Sequence, residues 1–202
     1  MNFIRLKDLF HDFPVFSLAD IRVADAGFDR RRLSEWQEKG YIRKIIKGYY
    51  IFADTSLDEI RLYAIANRIY KPSYISLETA FSHYRLIPES VYAITSVATR
   101  RTYGFETPAS RFLYRTITPK LFFGYFLLAG NVKMAALEKA LLDYFYLNSS
   151  VQSKDDFAAL RINRHELTNQ LDRELLAVYL RRFASKVLAK RIGCFLNWVE
   201  NA

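Results

Sequence analysis

Cysteine is nearly absent: Cys194 is the single one in 202 residues. A lone thiol makes no intrachain disulfide, so a reducing compartment, the cytoplasm, is expected. Glycine (7) and proline (5) are scarce, which excludes fibrous and low-complexity classes. No run of about 18 apolar residues occurs, so no membrane-spanning helix is expected. The opening MNFIRLKDLFHDF carries both charge signs and no apolar stretch, so no signal peptide is read there. Metal-type spacing is missing too. His11, His83 and His165 stand far apart, and no His-x-x-x-His or Cys-x-x-Cys occurs. There is no Gly-rich phosphate loop and no Gly-x-Ser-x-Gly. Hydrolase and transferase chemistry are therefore unsupported, and the chain is read as a non-enzyme without metal or cofactor.

What is present is apolar and basic. Hydrophobic residues make up 51% of the chain, too many for disorder, and the length fits one or two domains. Thirty Lys and Arg against 21 Asp and Glu leave a net charge of +9. The excess is +2 over residues 1–55, +4 over 56–150 and +3 over 151–202. Within residues 28–50 it is sharper: seven basic residues face three acidic ones, a net of +4. The remainder of the N-terminal third is acidic. Polarisation toward one short segment is what a phosphate-binding surface needs.

Phe3, Leu6, Leu9 and Phe10 recur at helical spacing, and Pro14 breaks the pattern. Ser17 is placed to cap a second helix over residues 18–26, with Gly27 as its stop. Asp29 stands where an N-cap belongs, before a third helix over residues 30–39 with Leu33 and Trp36 inward and Gly40 at its end. Two β-rich runs, 41–45 and 49–52, flank the Ile46-Lys47-Gly48 turn and predict a hairpin. Three helices and a hairpin in about fifty residues is the order of a winged helix-turn-helix. The expected fold is α+β: a winged helix-turn-helix over residues 1–54, then a mixed α/β domain over 55–202 with a helical C-terminus.

The third helix of such a unit fits the major groove, and its first residues reach base edges. The wing lies on the backbone, where Lys and Arg neutralise phosphate. The candidate DNA-binding residues are Arg30, Arg31, Arg32 and Ser34 on the helix and Arg43, Lys44 and Lys47 on the hairpin. The helical wheel sets Arg31 beside Glu35 and Glu38, opposite Leu33 and Trp36. Arg31 and Glu35, four apart, are spaced to pair. Acidic side chains in the later turns confine the expected DNA contact to the first turn. The alternative is a small helical domain with a solvated basic face.

Beyond residue 55, Ser56-Leu57-Asp58-Glu59 matches a capping box before a helix ending near Lys71-Pro72. Ser76 is placed to cap a helix over 77–84. Strands are expected over 91–98, 111–117, 125–128 and 131–134, an amphipathic helix over 135–147, and helices throughout 151–202. There, Leu171, Leu175, Leu176, Tyr179, Leu180 and Phe183 form an apolar stripe.

Four blocks carry a family resemblance. The first is Leu33-Ser34-Glu35-Trp36-Gln37-Glu38-Lys39-Gly40-Tyr41-Ile42, followed by Lys47-Gly48-Tyr49-Tyr50. The second is Ser73-Tyr74-Ile75-Ser76-Leu77-Glu78-Thr79-Ala80, followed by Tyr84, Ile87 and Pro88. The third is Ile94-Thr95-Ser96-Val97-Ala98-Thr99-Arg100-Arg101. The fourth is Ala136-Leu137-Glu138-Lys139-Ala140-Leu141-Leu142-Asp143-Tyr144. Together, over roughly residues 1–147, they resemble the AbiEi-type antitoxins of bacterial type IV (abortive infection) toxin–antitoxin systems. The resemblance implies a winged-helix domain that represses its own operon. It also implies a second domain that counteracts a nucleotidyltransferase toxin, with or without direct contact. The partners it implies are double-stranded operator DNA and that toxin, with a monomer or weak dimer paired on the DNA. The fourth block departs from the family pattern at Leu137, where a proline is common. Residues 148–202 carry no block of the family.

A second basic patch is read in Arg100, Arg101, Arg111 and Arg115; the alternative is a charged sheet edge that discourages strand pairing. His83 is read as a half-buried, hydrogen-bonded histidine and Cys194 as a packed thiol. Glu138 and Asp143, five apart on one helix, make a poor carboxylate pair. Glu138 and Lys139 are expected at a surface or interdomain contact. The 14 Tyr and 16 Phe fall mostly at apolar-periodic positions and are assigned to packing. A competing function remains: a protein-interaction module, or a stand-alone regulator, in which the winged helix is only a scaffold.

Overall fold

Side chains of Asn2 and Ser17 cap the starts of the first two helices, and the second ends at Ala24, short of the expected stop at Gly27. The computed structural model describes residues 1–88 and 92–201, so the predicted strand position Val91 lies outside the described residues. The first unit contains α1 (Phe3–Phe10), β1 (Phe16–Ser17), α2 (Leu18–Ala24), α3 (Arg31–Glu38), β2 (Ile42–Ile46) and β3 (Tyr49–Phe52). Ser17 and Asp20 form a reciprocal capping box on α2. At α3 the N-cap is Arg30, not Asp29, and no side chain caps the helix; the Asp29 carboxylate, one residue earlier, accepts the Arg31 N–H at 2.9 Å. The helix closes as Gly40 N–H reaches Gln37 O and Tyr41 N–H reaches Trp36 O. That closure needs left-handed backbone at Gly40, whose φ is 68°, a conformation a Cβ would disfavour.

The three strands pair antiparallel in the order β1-β3-β2. Period-two alternation along β3 decides what they do. Tyr50 and Phe52 enter a small core with Leu6, Ile21, Leu33 and Trp36. Tyr49 and Ile51 face the other way and join Val15, Ile45 and Ile46 in the large core of the second unit. The hairpin therefore does not stand free. One of its faces is packed against the rest of the chain.

The second unit begins with α4 (Glu59–Ile69), β4 (Ser73–Ile75), α5 (Leu77–His83), β5 (Ala93–Ala98), β6 (Tyr103–Glu106) and β7 (Arg111–Thr116). It continues with β8 (Tyr125–Leu128), β9 (Val132–Ala135) and α6 (Leu137–Leu147). The chain then runs through α7 (Lys154–Ala159), α8 (Arg164–Gln170), α9 (Arg173–Phe183) and α10 (Lys186–Asn201). The sheet order is β6-β7-β5-β4-β9-β8, with β5–β7 and β4–β9 parallel and the other pairs antiparallel. All six residues of β5 are buried, as befits a strand inside a sheet with packed faces. The fold is α+β. Among the described residues, no helix is long and apolar enough to cross a membrane.

Several sequence expectations change here. Asp58, not Ser56, caps α4, accepting the Arg61 N–H at 2.7 Å. Ser76 sits at the N-cap of α5 but makes no side-chain cap bond; its hydroxyl turns to Asp143 instead. β1, β4 and β6 were not expected. Each has four residues or fewer, too short for alternation to register.

Candidate nucleic-acid interface

Arg30, Arg31, Arg32 and Ser34 are all exposed, as are Arg43, Lys44 and Lys47. The fold explains why: Leu33 (3% exposed) and Trp36 (4%) turn the opposite face of α3 into the small core. Ring contacts from Phe3 and Phe28 hold Trp36 there. α3 packs against β2, the first strand of the hairpin.

The seven residues are not equivalent. Arg32 Nη1 donates to the Met1 carbonyl at 2.7 Å, and the Met1 ammonium is bridged to Asp25 at 2.7 Å. Arg32 thus ties α3 to the chain start. Among the described residues, Arg30, Arg31, Arg43, Lys44 and Lys47 have no side-chain partner. The expected Arg31–Glu35 pair does not form. Glu35 binds Lys39 at 2.6 Å instead, and that ammonium holds the Glu35 carboxyl below its ordinary range. The geometry is favourable, since a glutamate N-terminal to a lysine at this spacing is the better orientation. Pairing quenches one of the two acidic charges on α3 and leaves Arg30 and Arg31 free. The amide groups at the start of α3 add the positive end of the helix dipole.

Arg100, Arg101, Arg111 and Arg115 do not form one patch. Arg111 opens β7 and pairs with Glu106 at 2.7 Å. Arg100 and Arg101 follow Ala98, which pairs with Thr116 at the far end of the same strand, roughly 17 Å away at 3.3–3.4 Å per residue. Arg100 lies over the Tyr70 ring and Arg101 over Tyr103. Arg115 is half-buried and donates to the Leu147 carbonyl at 2.9 Å. Arg191 of α10 reaches the Asn148 carbonyl at 3.1 Å. Two arginines thus satisfy carbonyls at the C-terminal end of α6, where cations are favoured. The expected patch is split by strand length and by helix-end chemistry.

The expectation for the fourth block also changes. Glu138, Lys139 and Asp143 are buried, not at the surface. Lys139 Nζ bonds Asp143 Oδ1 and donates to Tyr74 Oη at 2.8 Å. Tyr74 Oη (2.8 Å) and Ser76 Oγ (3.0 Å) both donate to Asp143 Oδ2. Rings of Phe123 and Phe183 lie over the lysine. Burial pushes Lys139 down and Asp143 up from their ordinary values, and the hydrogen bonds oppose it. Glu138 Oε1 accepts the Asp172 N–H at 2.9 Å, tying α6 to the start of α9. This cluster is sealed from solvent and joins α6 to β4. Its signal in the sequence was Lys139 four residues before Asp143, a same-face spacing; weighing Glu138 against Asp143 missed it.

Two further expectations resolve simply. Cys194 is exposed rather than packed. His83 is half-buried, and its contacts are the rings of Tyr63 and Tyr84. Among the described residues, no group of three or more His, Cys, Asp or Glu is arranged to hold a metal ion. Compared with known proteins, the chain matches no family model and no curated relative.

Proposed function

We propose that the chain is a DNA-binding antitoxin that represses its own operon, counteracting a nucleotidyltransferase toxin. In this reading residues 1–54 act as a winged helix-turn-helix, with α3 as the helix that enters the major groove and the β2–β3 hairpin as the wing. The supporting observation is the division of labour at the start of α3: Arg30 and Arg31 are exposed and unpartnered, whereas Arg32 and Lys39 are held internally. Free arginines at a helix start suit base edges and phosphate together. Arg43, Lys44 and Lys47 supply the backbone contacts of the hairpin. The antitoxin role rests on the family resemblance of residues 1–147.

A gel shift on the promoter upstream of the gene tests the proposal. Wild type shifts the fragment at physiological salt, and the Arg30→Ala/Arg31→Ala variant does not. Equal shifts by the two proteins overturn it.

One observation favours a second reading, a protein-interaction module. The edge strand β8 exposes Phe126 (41%) and Leu127 (59%), and an open strand edge is a template for a partner chain. Co-purification with the product of the neighbouring gene, without any operator shift, decides for it.

A further inference from the structure

The six-stranded sheet ends in two edge strands, β6 and β8, and the chain treats them differently. β6 is set among charges: Arg101 lies two residues before it, and Glu106 at its end pairs with Arg111. Charges of this kind keep a strand edge from pairing with another chain. β8 has none. It lies within residues 121–132, the longest uncharged run in the chain, and its Phe126 and Leu127 are exposed. Lys133, opposite Leu127 on β9, is held over the Tyr125 ring, so its ammonium is not offered to an acidic partner.

The backbone of β8 is only half used. Ala136 N–H donates to Gly124 O at 2.9 Å, which makes these two a hydrogen-bonded pair in the β8–β9 register. Such pairs alternate along an antiparallel ladder. Phe126 and Leu128 therefore bond Met134 and Val132, their partners on β9. Lys133 agrees with this phase: its N–H points away from β8, to Asn67 Oδ1 at 2.6 Å. The N–H and C=O of Tyr125 and Leu127 consequently face outward, and no described group hydrogen-bonds them. Open backbone groups on an apolar strand define the occupant as an extended strand without charge.

We propose that the occupant is β8 of a second copy, antiparallel to the first about a two-fold axis at Phe126. In that register Tyr125 faces the partner subunit's Leu127, and Leu127 faces the partner subunit's Tyr125. All the outward backbone groups of both strands then pair, and one sheet runs through both copies. Two features of the edge favour its own copy. A two-fold contact closes at two chains, whereas β8 set on the β6 edge of the next copy would repeat without end. Each copy also carries +9, and like charges directly opposite are destabilising, so two such chains meet best at a stretch without charge. Two four-residue strands bury less than the roughly 800 Å² per partner of a standard interface, so the dimer is weak and depends on concentration. The inference rests on the β8 edge and stands whether or not α3 holds DNA.

Sedimentation of the full chain without DNA, from about 1 μM to about 1 mM, tests this. Wild type passes from monomer to dimer as concentration rises. Phe126→Lys sets two ammonium groups opposite each other on the axis and weakens the dimer roughly tenfold or more. Cross-linking covers the case in which that variant fails to fold. Cys194 is exposed, so the background is Cys194→Ser. There, Phe126→Cys puts two thiols in a non-hydrogen-bonded pair with Cα atoms about 4.5 Å apart, within disulfide reach. It cross-links on mild oxidation, and Ala129→Cys does not. The Arg30→Ala/Arg31→Ala variant dimerises as wild type does, even if operator binding is never seen. A wild type that stays monomeric throughout overturns the proposal. So does a dimer that Phe126→Lys, folded by circular dichroism, leaves unchanged, or cross-linking no faster at 126 than at 129. Loss of the dimer in the Arg30→Ala/Arg31→Ala variant would move the contact to the α3 surface and overturn the β8 edge as well.

Discussion

Lys139 Nζ lies 2.8 Å from the hydroxyl of Tyr74, 65 residues earlier in the chain, in a core where both side chains are sealed from water. Asp143 completes the contact by bonding both groups. Removing one partner of a buried pair leaves a charge without compensation, and that is costlier than removing both. Lys139→Met should lose about 3–5 kcal/mol of stability. Lys139→Met/Asp143→Leu should recover most of that loss. Urea unfolding of wild type and the two variants measures it, and a double variant less stable than Lys139→Met contradicts the assignment.

The α3 arginines should separate by role. Arg30→Ala and Arg31→Ala should each weaken operator binding by about 1–3 kcal/mol where the side chain reads a base, with unchanged unfolding midpoints. Arg32→Ala should instead lower thermal stability, because it removes the hydrogen bond to the Met1 carbonyl. Parallel gel shifts and melting curves check both halves; identical profiles for all three variants would remove the distinction.

Lys44 and Lys47 are exposed on the hairpin and face no internal partner among the described residues. Replacing both with Ala should weaken binding to every DNA sequence alike. It should also reduce the salt dependence of log K by about 1 for each phosphate that is no longer neutralised. A sequence-selective loss with an unchanged slope would place these lysines on bases instead.

The Asp20–Arg68 pair joins α2 to α4 across the junction of the two units. Burial works against the Asp20 carboxylate, but hydrogen bonds from Ser17 and Arg68 outweigh it and hold it below the ordinary 3.8. A carboxylate lowered on folding stabilises the native state above its unfolded value. That contribution is lost as pH falls through the lower folded value. Acid unfolding of Asp20→Asn should therefore be shallower below about pH 4 than that of wild type, with lower stability near neutrality. Parallel curves across the acid range would show that the pair contributes nothing.

Gly124 has a φ of 71°, and a Cβ there would meet Lys139 Cγ and the Tyr179 ring at 3.0 Å. Left-handed backbone costs a non-glycine residue roughly 1–2 kcal/mol, and the steric overlap adds to it. Gly124→Ala should lower the unfolding midpoint measurably in calorimetry. An unchanged midpoint would mean that the β8 approach yields freely.

Local signals carried most of the elements. Helical spacing, Ser17 before α2 and Gly40 after α3 are readable because capping and periodicity act within a few residues. The basic run over residues 28–50 and the exposure of its side chains were legible for the same reason. Once Leu33 and Trp36 face inward, the wheel places the rest. Pairing across distance was not legible. Whether Glu35 binds Arg31 or Lys39, and whether Arg115 faces solvent or the end of α6, depends on which neighbour the fold brings close. The sealed Lys139–Asp143–Tyr74 cluster arises the same way. It joins groups from β4 and α6, and sequence spacing carries no information about contacts that only tertiary packing creates.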